Sequence, residues 1–150
     1  MIHYQLVINQ SDVFAEVSKL SEYTGSKLVD EQGDHRDEVW GTPLDFMELP
    51  NLWREAQVAF EHAVRDFADG DGVLDGRGRY SISLSVSSRT RLFGLRDMAQ
   101  MYFVRSVLGR WFTISCKPVA DVSLMAAQGA LEEVVRMLYG VHEPELGGGV

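Results

Sequence analysis

Apolar and polar residues alternate at the start of the chain, where Ile2, Tyr4, Leu6 and Ile8 are interleaved with His3, Gln5 and Val7. A period of two sends successive side chains to opposite faces, so residues 2–8 read as a strand with one buried face. The rhythm returns more clearly where Tyr80, Ile82, Leu84 and Val86 alternate with Ser81, Ser83, Ser85 and Ser87. This second strand has an apolar face and a small, polar one, and it is expected to pair with the first.

Elsewhere the period lengthens to that of a helix. Val13, Val17 and Leu20 come after a capping residue at Ser11, and Gly25 offers a stop. Residues 29–41 are dense in charge without periodicity and read as a loop. Thr42, Pro43 and Asp45 have the order of a helix start, but Pro50 would break that helix, so a short helix and then a long one are expected. The long one covers residues 51–68, with Trp53, Ala56, Phe60, Ala63 and Phe67 on its core face.

Glycine and aspartate dominate residues 69–78, which read as a flexible connector. Residues 95–112 are apolar on most sides, with Met98, Met101, Val104, Leu108 and Trp111 as one ridge. This is the central helix, and Leu108 and Trp111 belong in the core. Pro118 suits the start of a last helix that carries Leu124, Ala127, Leu131, Val134 and Leu138 and stops at Gly140. The implied fold is α+β and mostly α: a bundle of four to five helices carrying a small two-stranded antiparallel sheet.

A chain of 150 residues, 45% hydrophobic and 24% charged, has the balance of one folded domain. That domain is expected over residues 1–140, with a flexible tail over 141–150. The lone Cys116 cannot form an internal disulfide and the first residues lack the pattern of a secretory leader, so a cytoplasmic setting is expected. Arg96, Asp97, Arg105 and Arg110 interrupt the most apolar stretch, and charges at that density exclude a membrane span.

Charge divides along the chain. Residues 1–75 hold 16 acids against 5 bases, net −11, and residues 76–150 hold 6 against 9, net +3. Arg77, Arg79, Arg89 and Arg91 flank the serine-faced strand, with Arg96 close behind. They read either as solvated side chains or as a candidate interface, for which Asp34, Asp37 and Glu38 in the charge-dense loop are the complementary candidates on a neighbouring copy. The overall acidity argues against nucleic acid as the partner.

No motif announces chemistry. The Asp69-Gly-Asp-Gly run superficially matches a calcium loop, but in either register Val73 falls where an oxygen ligand is needed. His3, His35, His62 and His142 include no pair on one helical face, and Cys116 has no nucleophile signature around it. Neither a nucleophile elbow nor a phosphate-binding or dinucleotide-binding loop occurs. No catalytic residue, cofactor or metal is therefore expected, and an enzyme would have to be cryptic.

Four segments carry a resemblance: Ser21-Glu-Tyr-Thr-Gly-Ser-Lys-Leu, Leu52-Trp-Arg-Glu-Ala, Tyr102-Phe-Val-Arg-Ser-Val-Leu-Gly-Arg-Trp-Phe and Val134-Val-Arg-Met-Leu-Tyr-Gly-Val-His-Glu-Pro. In their order they resemble small virion proteins of tailed phages and prophages, and within that group the head–tail connector or neck proteins. The resemblance implies a helical bundle with a strand pair and no catalytic residues. It also implies assembly as a homo-oligomeric ring whose partners are its own copies and portal or tail components, first in the host cytoplasm and then in the virion. The residues alone also allow a monomeric or dimeric adaptor or regulatory module that binds a protein through its strand edge.

Overall fold

β1 (Ile2–Asn9) runs directly into α1 (Gln10–Gln32); after α2 (Leu49–Ala63) come β2 (Val73–Leu74) and β3 (Arg79–Val86), and α3 (Leu95–Ser115) leads through a 3-10 turn at Lys117–Val119 into α4 (Ala120–Tyr139). The computed structural model describes residues 2–32, 47–87, 92–115 and 117–140, with the backbone alone described over 23–32. The class read from the sequence, α+β and mostly α, is the observed one.

The sheet has three strands rather than two, in the order β1-β3-β2. β1 and β3 pair antiparallel along their whole length, from Ile2 opposite Val86 to Asn9 opposite Arg79. The third strand comes from the expected connector, because Val73 and Leu74 pair with Ser81 and Tyr80. The turn that reverses the chain is built by Asp75. Its Oδ1 accepts the backbone N–H groups of Arg77 at 2.8 Å and Arg79 at 2.9 Å, and Gly78 supplies the positive φ of 81°. Upstream, Asp69 N donates to Ser83 O at 2.9 Å and Ser85 N to Phe67 O at 2.7 Å, so residues 67–69 strap the remainder of the β3 edge.

Three helix boundaries differ from the sequence expectation. α1 passes through Gly25 to Gln32 and takes in the first residues of the expected loop. A glycine inside a helix costs about 1 kcal/mol relative to alanine but stops it only where the chain turns left-handed, and Gly25 has no positive φ. α2 begins at Leu49, two residues before the expected start, with Pro50 in its first turn, where the N–H that proline lacks would have had no partner. α2 ends at Ala63, and Phe67 turns off the helix to meet the ring of Tyr139 edge-on at 4.9 Å. The short helix expected at Thr42, Pro43 and Asp45 and the charge-dense loop beyond Gln32 lie outside the described residues, as does the tail 141–150.

The core collects around α3. Trp53 of α2 stacks on Phe103 with ring centroids 4.4 Å apart, and Phe60, Tyr80 and Tyr102 surround the same ring. Leu108 and Trp111 are buried as expected, but Met101 departs from its ridge and is 48% exposed. The apolar face of the sheet closes one side of this cluster with Leu6, Ile8, Tyr80, Ile82, Leu84 and Val86. α4 packs against α3 most closely at Gly109, where a Cβ would stand 2.7 Å from the Leu124 side chain. Among the described residues no helix is long and apolar enough to cross a membrane.

Candidate interaction surfaces

Of the residues singled out for contact, Arg77 and Arg79 stand at the β2–β3 turn with both side chains exposed. Arg89, Arg91, Asp34, Asp37 and Glu38 lie outside the described residues. Arg79 opens β3, and the seven residue steps from it to Val86, at about 3.3 Å each, span roughly 23 Å. Among the described residues neither Arg77 nor Arg79 forms an ion pair with a carboxylate. Asp75 spends its oxygen on their backbone instead. Those two hydrogen bonds, from Arg79 and then Arg77, hold its carboxyl below the usual range. Arg96 acts elsewhere, and its Nε donates to Val7 O at 3.1 Å on the outer edge of β1.

That edge has a readable pattern. Gln10 N donates to Gly78 O, continuing the β1–β3 ladder, so even-numbered residues of β1 bond inward and odd-numbered ones point their main chain outward. The outward row is His3, Gln5 and Val7, and among the described residues the guanidinium of Arg96 is the one group that meets it.

On the solvent face of the sheet, register brings three residues together that the sequence reading kept apart. Ser85 Oγ donates to Asp69 Oδ1 at 2.6 Å and lies 3.0 Å from His3 Nδ1, while Asp69 Oδ2 is 3.5 Å from the same nitrogen. The residue types are those of a nucleophilic triad, but the geometry differs. A triad imidazole stands between hydroxyl and carboxylate, with one on each ring nitrogen. Here both approach Nδ1, and the carboxylate takes the hydroxyl proton directly. The cluster ties the 67–69 strap to β1 and β3. The signal for it was the pairing of His3 with Ser85, which exists only once the strand register is known.

Beneath the hairpin a polar chain enters the core. Trp53 Nε1 donates to Gln57 Oε1 at 2.8 Å, Gln57 Nε2 to Glu61 Oε2 at 3.1 Å, and Tyr80 Oη to that same oxygen at 2.8 Å. Burial, reinforced by the Glu61 carboxylate, raises the Tyr80 phenol well above its ordinary range. Gly72 closes over the pair so tightly that a Cβ there would come within 2.5 Å of both Glu61 and Tyr80.

α2 and α4 both lean on α3 and touch each other little, leaving an open groove of about 710 Å³ between them. Val58, Ala59, Ala63 and Leu131 provide its apolar lining, and Arg54, Glu55, His62 and Gln128 its polar rim. Glu55 is already engaged, 3.0 Å from Arg110 of α3. Val58 is 64% exposed. The helical stripe read from the sequence omitted it because that stripe identifies the face packed on the core. A smaller cleft of about 240 Å³ lies between α1 and α3, beside Glu16, Asp97, Met101 and Arg105. Among the described residues no three His, Cys, Asp or Glu side chains gather as a metal site.

No family model matches the chain, and no curated protein or solved structure matches it.

Proposed function

We propose that the chain is a non-enzymatic assembly protein of a tailed-phage or prophage virion, a head–tail connector or tail component whose copies join as a ring. The observation that carries this reading is the β2–β3 turn. It presents Arg77 and Arg79 to solvent in a chain of net charge −8, and among the described residues neither arginine is ion-paired. Asp75 hydrogen-bonds the backbone of the turn from within. A pair of exposed positive charges on an acidic protein suits an acidic surface of a neighbouring copy. Contacts of this kind steer association and set register more than they add affinity. The resemblance to connector proteins and the bundle-with-sheet architecture support the same reading.

The test is to reverse Arg77 and Arg79 to Glu and follow assembly by light scattering and negative-stain imaging, alone and with a portal protein. The wild type is expected to form rings that the variant does not, with circular dichroism unchanged. A wild type that forms no ring under any of these conditions would refute the reading.

A second reading is favoured by the outward row of β1. A monomeric or dimeric adaptor would take a partner's strand along His3, Gln5 and Val7. Gln5→Pro removes one outward N–H from an edge strand, where proline is tolerated. It is expected to abolish such binding in pull-downs while leaving the fold intact.

A further inference from the structure

The groove between α2 and α4 has two lips of opposite character. On α2, Arg54, Val58 and His62 recur at i, i+4 and i+8 and are all exposed. On α4, Gln128 lines the groove, and Asp121, Met125 and Glu132, seven and three residues before it and four after, continue the same exposed ridge. Each stripe is a continuous ridge on its helix. The α2 lip is basic and apolar, and the α4 lip is acidic and apolar.

Neither set of charges is answered within its own copy. Among the described residues Arg54 has no ion-pair partner and Asp121 none, while Glu132 accepts one hydrogen bond, from Gln128 Nε2 at 3.2 Å. The apolar members are equally unprovided for, with Val58 64% and Met125 74% exposed.

We propose that the groove is covered by a second copy of this chain, related by a two-fold axis that sets the α2 lip of each copy on the α4 lip of the other. A two-fold contact requires one patch to be self-complementary. These lips meet that condition: with Val58 on Met125 of the partner, Arg54, one turn earlier, faces Asp121, one turn earlier on α4, and every such pairing occurs twice. A foreign partner would have to bring an acidic and a basic ridge at the same spacing, which this chain already carries. The pair does not depend on the ring reading, because it uses neither Arg77 nor Arg79.

Sedimentation equilibrium and light scattering on the full chain test the pair. The wild type is expected to have twice the chain mass, or an even multiple of it if rings also form. Val58→Asp, at an exposed position, is expected to give single copies with circular dichroism unchanged and a thermal transition that no longer depends on protein concentration. Arg54→Glu is expected to raise the dimer dissociation constant on the order of tenfold, and combining it with Asp121→Lys to recover most of that loss. Arg77→Glu with Arg79→Glu is expected to remove larger assemblies and leave the pair. A wild type of single-chain mass up to about 100 μM, a range that covers weak pairs, would overturn the proposal. So would Val58→Asp and Arg54→Glu proteins that pair as tightly as the wild type.

Discussion

Replacing Gly109 with alanine tests how closely α3 and α4 approach. In isolation the change favours the helix, since glycine in a helix interior is about 1 kcal/mol worse than alanine. Here the added methyl would lie 2.7 Å from Cγ and Cδ2 of Leu124 and 3.0 Å from the backbone nitrogen of the same residue. The side chain can rotate away, but the backbone nitrogen cannot, so relief requires the two helices to part. Forcing extra volume into a packed site costs about 1–3 kcal/mol. The net expectation is destabilisation of up to about 2 kcal/mol, measured as a lower urea midpoint at unchanged slope. Leu124→Ala alone should also destabilise, because Leu124 packs against the core. The double variant should lose less than the sum of the two, since the methyl then meets only the backbone. A Gly109→Ala protein about 1 kcal/mol more stable than the wild type would show that the propensity gain prevails and that α3 and α4 have room to spare.

Two further expectations concern titration. Burial and the Glu61 hydrogen bond raise Tyr80, and burial raises Tyr102. Both groups therefore contribute stability that is full below about pH 10, the unfolded tyrosine value, and is lost as pH rises above it, where the unfolded chain releases protons the folded chain retains. Chemical unfolding at stepped alkaline pH should show this decline. Tyr80→Phe should make the decline shallower and cost about 1 kcal/mol at neutral pH; an unchanged alkaline profile would show that the folded chain holds the Tyr80 proton no more tightly than the unfolded one. Asp75 has the opposite sign, because its lowered pKa gives a contribution that is present above the ordinary Asp range and lost as pH falls through it. In hydrogen exchange, Asp75→Ala should expose the amides of Arg77 and Arg79, and Asp75→Asn should retain part of their protection. Equal exchange in all three proteins would mean that Asp75 does not hold the turn.

The strands β1 and β3, the burial of Leu108 and Trp111 and the α+β class were legible in the sequence, because each rests on a local period that one buried face imposes on the chain. Where a residue's effect depends on neighbours distant in sequence, the pattern misleads. Val73 and Leu74 form a strand because β3 lies beside them and Asp75 folds the turn, although the surrounding glycines and aspartates alone suggest irregular chain. Gly25, which offers a helix stop in the sequence, continues α1 because the chain around it does not turn left-handed. The candidate surfaces depend still more on the fold. His3 meets Ser85 and Asp69 only through strand register, and Val58 shares a groove with Leu131 only because α2 and α4 diverge over α3. Hydrophobic period determines which face of an element is buried; which buried faces share a core, and which exposed ones share a groove, is decided by packing.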